Sequence, residues 1–233
     1  MKQQGSALKV LFEDNHLLIV SKPAGLATQG SVSDPDSLEL QAKAFLKEKY
    51  QKKGNVYCQP IHRLDKVTSG IVLFAKTSKA SERLYEMQRA RQITKKYLAI
   101  IEGKLKKQEG SLSHFLVHDH LRARIVDKSY TGAQPCELHW STLLQEKTMT
   151  LVAITLVTGR YHQIRAQFSA IGHPIIGDSK YGSQTAFEKG SIALHAALLQ
   201  FHHPVNKELL SVWTPPPKFW SLTINSPSAI LNN

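Results

Sequence analysis

Cysteine is scarce in this chain. Cys58 and Cys136 are its two, and neither sits in a CxxC or CxxH pattern. That usage argues against a disulfide framework and a structural zinc site, and it suits a reducing cytosol. Long apolar runs are also missing. No segment approaches the roughly 18 uninterrupted apolar residues of a membrane-spanning helix. The start, Met1-Lys2-Gln3-Gln4-Gly5-Ser6, is polar and leads into no signal-peptide stretch, so a cytoplasmic location is expected. There is no GxxxxGK[ST] loop and no dinucleotide fingerprint, so no nucleotide cofactor is indicated. Internal repeats and low-complexity linkers are lacking too. Acidic residues number 18 against 30 basic ones, which leaves a net charge of +12. Such an excess is the electrostatic footprint of a polyanion binder, with plain solubility as the bland alternative.

What is present suffices for a packed core: 233 residues, 42% of them hydrophobic, enough for one large domain or two small ones. Val10–Phe12 and Leu17–Val20 flank Glu13-Asp14-Asn15-His16, which reads as a hairpin. Ile71–Ala75, Tyr97–Ile101, Glu137–Leu144 and Met149–Val157 are further strand candidates, the last two joined by a Gln145–Thr148 turn. Three helices are expected. Asp36 with Glu39 reads as a capping-box start for the first, whose apolar face carries Ala42, Phe45 and Leu46 among many lysines. The second runs from about Lys79 to Arg91, with Ala80, Leu84 and Met87 inward. The third spans about Tyr161 to Ile171, with Ile164, Phe168 and Ile171 on one stripe and Gly172 as its stop. Strands and helices mix without regular βα alternation, which favours an α+β domain on a largely antiparallel sheet.

The segment His62-Arg63-Leu64-Asp65-Lys66-Val67-Thr68-Ser69-Gly70 sets one carboxylate among basic residues just before a strand. An Asp there is most often a turn or capping residue. His62 and Arg63 supply positive charge in this reading, and nearby cations keep a carboxylate available as a nucleophile or base. Thr158-Gly159-Arg160-Tyr161-His162-Gln163-Ile164-Arg165 joins a strand to the third helix. His162 and Arg165 share a face away from the apolar stripe: either a solvated basic face or an anion site at a helix start. Tyr97 follows Lys95-Lys96 on a strand and is either a core aromatic or a base-stacking one. Lys22-Pro23-Ala24-Gly25 reads as a structural turn. His114, His118 and His120 are metal ligands by type, but no cysteine or carboxylate pair completes a site, so no metal is expected. The tail Trp213–Trp220 reads as an extended segment packing its two tryptophans on the domain, with an SH3-type ligand as the alternative.

Six motifs in order resemble the RNA pseudouridine synthases of the RluA type. They are KPAGL at Lys22–Leu26, HRLDKVTSGIVLFAK at His62–Lys76, KKYLAIIEG at Lys95–Gly103, TGRYHQIRAQF at Thr158–Phe168, GHPIIGDSKYG at Gly172–Gly182 and LHA at Leu194–Ala196. The resemblance covers about 10–220. It implies one catalytic domain over 1–233 with a curved, largely antiparallel central sheet flanked by helices and loops, and the cleft across its middle. Many relatives carry an N-terminal S4-type domain; here the catalytic pattern begins by Val10, so none is expected. By resemblance, Asp65 matches the essential aspartate, Tyr97 the tyrosine that stacks on the target base, and Arg165 the arginine paired with the carboxylate. Arg63 matches the arginine implicated in base flipping, while His62, Arg160 and His162 are expected to contact substrate.

The implied reaction isomerises a uridine in an rRNA or tRNA stem-loop and needs no cofactor. No obligate protein partner is indicated, and a monomer is expected. Where relatives often show Ala-x-Thr, this chain has Ala133-Gln134-Pro135-Cys136, read as a departure on a peripheral strand. Two other functions stay open on the residues alone: an RNA-binding protein that kept the fold without catalysis, and a nucleoside hydrolase.

Overall fold

The computed structural model describes residues 8–32, 35–222, 224 and 226–231; the polar start Met1–Ser6, and with it the signal-peptide reading, lies outside them. In chain order the elements are β1 (Lys9–Glu13), β2 (Leu17–Lys22), α1 (Leu38–Lys49), β3 (Gln59–Pro60), β4 (Ser69–Ala75), α2 (Ser78–Arg89), β5 (Thr94–Glu102) and β6 (Glu109–Asp119). Then follow β7 (Arg122–Val126), β8 (Gln134–Gln145), β9 (Met149–Leu156), α3 (Gln163–Ala170), a 3₁₀ turn at Ser179–Tyr181, β10 (Leu194–His202), β11 (Leu209–Trp213) and α4 (Ser228–Leu231).

Among the described residues the strands form one open sheet in the order β1-β2-β4-β10-β5-β9-β8-β6-β7, with β11 on β10 and β3 on β4. Every pairing is antiparallel except β4 with β10. The α+β reading and the largely antiparallel sheet therefore hold. The first hairpin turns on Asp14, whose Oδ1 accepts from the His16 and Leu17 N–H groups, each at 2.7 Å. The parallel contact depends on a glycine. Gly70 has φ +120°, and a Cβ there would lie 2.3 Å from the Ala196 carbonyl oxygen.

Period-two alternation splits the core. Leu18, Val20, Val72 and Phe74 share one cluster with α1, through Leu38, Ala42 and Leu46. Leu17, Ile19, Ile71 and Leu73 face the other way and pack with Ala80 and Leu84 of α2. A third, smaller cluster joins Leu116, Ala123 and Cys136 to Ala166 and Tyr181, and seats α3 by the β6–β7 hairpin. Trp220 is buried and Trp213 half-buried, as the packing reading of the tail requires.

The helix boundaries differ from expectation in instructive ways. The N-cap of α1 is Ser37, whose Oγ accepts from the Leu40 N–H, rather than Asp36. The chain is fixed at Ser37 because Leu38 N–H donates to the Ala27 carbonyl, which a capping pattern does not reveal. The second helix stops at Arg89, since Arg91 turns left-handed at φ 57°. The third begins only at Gln163, because His162 is itself left-handed at φ 52°; Gly172, at φ 82°, follows its end as expected. Strand β8 lies inside the sheet, but its Gln134–Cys136 end pairs with β6 alone, and Gln134 and Pro135 are exposed, so the departure falls at the outer end of an interior strand.

Candidate active site

A cleft of about 1370 Å³ lies over β5 and β9 and over the loops that lead into β4 and β10. Asp65 reaches it from the loop before β4, and that loop is pinned by its backbone. Thr28 Oγ1 donates to the Leu64 carbonyl (2.9 Å) and accepts from the Leu64 N–H (3.0 Å). The Gly25 N–H donates to the Lys66 carbonyl at 2.8 Å. Lys22 is wholly buried, and its Nζ donates to the carbonyls of Pro23 (2.9 Å), Leu26 (2.6 Å) and Lys66 (3.3 Å). Burial pushes its ammonium down to about 7, with the charge of Asp65 working the other way. The KPAGL turn is thus structural, as read, but its lysine also clamps the Asp65 loop.

Arg165 arrives from α3, 100 positions along the chain, and is 5% exposed. Its Nη1 donates to Asp65 Oδ2 at 2.9 Å. Its Nε and Nη2 make a fork on buried Asp178, at 2.7 Å to Oδ2 and 2.8 Å to Oδ1. Burial works against the guanidinium charge, but the bonds and charge of Asp178, with Asp65 behind them, more than offset it. The arginine is held protonated and in one orientation between two carboxylates. Asp178 lies in the GDSKYG motif and had no assigned role; a lone Asp after an apolar run was its one signal.

His162 lies beneath the cleft rather than on a solvated face. Its Nε2 is 2.9 Å from Arg165 Nη1 and 3.4 Å from Asp65 Oδ2, and its Nδ1 is 2.9 Å from Tyr181 Oη. Burial, reinforced by Arg165, pushes the imidazole down to about 3. Tyr161 stacks on it at 3.8 Å between ring centroids. A left-handed non-glycine residue is strained by about 1–3 kcal/mol, and such strain concentrates at functional sites.

Tyr97 lies buried on β5 opposite Ala196 and Ile154, and it lines the cleft. Burial first, then the charge of Asp65, pushes its phenol above the usual range, so the ring is neutral. His62 departs from expectation. Burial, with Lys95 nearby, pushes it down to about 3, so it brings no positive charge to Asp65; its Nε2 accepts from the Leu73 N–H at 3.3 Å. Arg63 and Arg160 are exposed on the cleft wall, where Arg160 Nε donates to the Pro135 carbonyl at 3.3 Å. Arg89, Arg91 and Lys180 also line the cleft and were not anticipated. The lysines of α1 do not line it, and Lys43 and Lys49 pair with Glu39 and Glu13. His114 meets Gln167 at 3.1 Å and His118 packs on Tyr161 at 4.3 Å, while His120 sits at the hairpin turn with φ 49°.

This geometry offers an aimed carboxylate beside a buried neutral aromatic, within a basic rim. The model of a family described as RNA pseudouridylate synthase matches residues 16–170. The chain belongs to that family. Among its relatives, the dual-specificity RNA pseudouridine synthase RluA of Pasteurella multocida is 33% identical over 211 residues, covering 90% of this chain and 93% of its own. The uncharacterized RNA pseudouridine synthase YhcT of Bacillus subtilis is 35% identical over 215 residues, covering 90% and 69%. Ribosomal large subunit pseudouridine synthase D of Xanthomonas campestris is 32% identical over 232 residues, covering 92% and 68%. In fold, the chain is similar to human RNA pseudouridylate synthase domain containing 4, at TM-score 0.76 and 24% identity over 91% of this chain and 89% of that one. The synthase is thus an RNA-modifying isomerase on an α+β fold. No helix among its described residues is long and apolar enough to cross a membrane.

Proposed function

We propose that this pseudouridine synthase acts through the carboxylate of Asp65 on a uridine flipped out of a stem-loop in rRNA or tRNA. The C1′–N1 bond breaks, the uracil turns while held, and C1′ rejoins the ring at C5. The proton lost from C5 is balanced by one gained at N1, so atoms are conserved and no redox partner is needed. Tyr97 stacks on the target uracil as a neutral ring. Arg165 fixes the direction of Asp65. Arg63 fills the space the flipped base leaves, a cost of a few kcal/mol of lost stacking that the protein must offset. Arg160 and His62 meet the RNA from the cleft wall. His162, with both ring nitrogens engaged inside the protein, serves the carboxylate rather than a phosphate.

The observation that carries this reading is the bond from Arg165 Nη1 to Asp65 Oδ2, in a cleft that Tyr97 also lines. The names of several relatives refer to the large ribosomal subunit, which favours an rRNA target; the basic rim fits either RNA. Bulk RNA labelled with [5-³H]uridine, taken from cells lacking the gene, provides a test, since each turnover releases tritium from C5. Asp65→Asn is expected to release none while still shifting RNA in a gel. Substantial release by that variant overturns the role of Asp65, and free uracil from the wild type overturns isomerisation within the chain. Mapping pseudouridines across total RNA with and without the gene identifies the target.

A further inference from the structure

A hydrogen-bonded chain runs from the β6–β7 hairpin to Asp65 and passes through Tyr181. The Ala123 N–H donates to Tyr181 Oη at 2.8 Å. Tyr181 Oη lies 2.9 Å from His162 Nδ1, and His162 Nε2 lies 2.9 Å from Arg165 Nη1, which donates to Asp65 at 2.9 Å. An arginine nitrogen has protons to give and no lone pair to offer. His162 Nε2 must therefore accept, which leaves the one ring proton of a neutral imidazole on Nδ1, facing Tyr181. Both hydrogens of Arg165 Nη1 are then used, one on Asp65 and one on His162. The Tyr181 ring is held independently of its hydroxyl, with the Arg165 and Arg122 guanidinium carbons 4.9 Å and 5.3 Å from its centroid.

We infer that Tyr181 is a positioning residue of the synthase: its oxygen fixes the Nδ1–H tautomer of His162, and that tautomer lets Arg165 hold Asp65. Without the oxygen, the His162 proton moves to Nε2. There it meets the Arg165 N–H head-on and turns toward Asp65 Oδ2, 3.4 Å away. The carboxylate then changes partner and direction. The same chain ties the site to a hairpin whose His118 packs on Tyr161 in the cleft wall and whose Leu121 carbonyl receives Lys180 Nζ at 3.2 Å. The inference rests on the reading of Asp65 as the catalyst, and its test separates the two.

The test is Tyr181→Phe, which keeps the ring and removes the oxygen. Turnover is followed by tritium release from [5-³H]uridine-labelled bulk RNA, and the tautomer of His162 by ¹⁵N spectroscopy of the imidazoles, assigned by loss of its signals in His162→Gln. The wild type is expected to show a protonated Nδ1 and a bare Nε2. The folded variant is expected to show the reverse, with kcat lowered about 10- to 100-fold and KM for RNA within about 2-fold, the range typical of misaimed groups. A merely structural tyrosine would lower the melting temperature without moving the tautomer. Full kcat in folded Tyr181→Phe, or an Nε2–H tautomer in the wild type, overturns the inference. If the variant does not fold, the wild-type spectrum decides alone. Turnover by Asp65→Asn would overturn the catalytic reading while leaving the tautomer result standing.

Discussion

Arg165 and Arg63 line one cleft in opposite states. Arg165 is buried, spends its Nε, Nη1 and Nη2 on Asp178, Asp65 and His162, and is tied to the core by α3. Arg63 is exposed two residues from Asp65, with Arg89, Arg91 and Lys180 also on the wall. The floor has its charges matched before any substrate arrives, so they need little reorganisation during the reaction. The rim keeps exposed basic groups on the cleft wall, where the proposed function has them meet phosphates and position the RNA. One residue type thus stands in two environments, set by how completely its donors are used inside the protein, and the proposed function gives each its own job.

That contrast can be broken, beginning with the largest effect. Asp178→Asn removes half of the fork that holds Arg165 and puts an N–H where an acceptor stood. Breaking such a buried pair costs about 3–5 kcal/mol, read by urea unfolding. A misaimed Asp65 lowers kcat about 100-fold, with KM little changed. If Asp178→Asn raises KM instead, the floor is gripping RNA and the division fails.

Acid comes next. His162 and His195 are buried and held near 3 and 4, from an ordinary 6.5. Below 6.5 the unfolded chain binds protons that the folded one refuses, so stability falls as pH falls from 6.5 toward those values. Each histidine adds up to about 1.4 kcal/mol per pH unit. His162→Gln is expected to flatten the slope of unfolding free energy against pH by about that amount; an unchanged slope means His162 is not held neutral.

The smallest effects belong to the rim. Arg91→Ala or Arg160→Ala is expected to raise KM a few-fold at moderate salt. Each should reduce the slope of log affinity against log salt by about 0.7–0.9, one phosphate contact's share. Lys47→Ala on α1, away from the cleft, should leave that slope unchanged. If Lys47 matters as much as Arg160, the RNA track extends beyond the cleft wall.

Part of this architecture is legible in the chain. Asp65, Tyr97 and Arg165 stand in short contiguous motifs, and the uninterrupted apolar runs Leu17–Val20 and Ile71–Ala75, bounded by turn residues, report strands buried on both faces. The groups that aim them are hidden, because their meaning lies in distant partners. Asp178 is one aspartate until Arg165 is seen to fork onto it. Lys22 reads as a turn lysine until its ammonium meets the carbonyl of Lys66, 44 positions away. His62 looked cationic because sequence shows neighbours and not burial. Strands β10 and β11 are not legible beyond the LHA motif: Leu194–Phe201 is broken by His195 and Gln200 and rich in alanine and leucine, which suits a helix as well as a strand.

The place of β10 bears on how the synthase comes into being. Strands β4 and β5 follow one another in the chain, yet β10 lies between them. As a ribosome releases the chain from its N-terminus, those two strands keep bare edges until Leu194–His202 has emerged. Long-range pairings of this kind form late, and open edges are what chaperones cover. Until then Tyr97 and the loop of Asp65 belong to separate, unjoined pieces of sheet. Until that one strand is inserted, the two halves of the cleft have no common sheet to hold them.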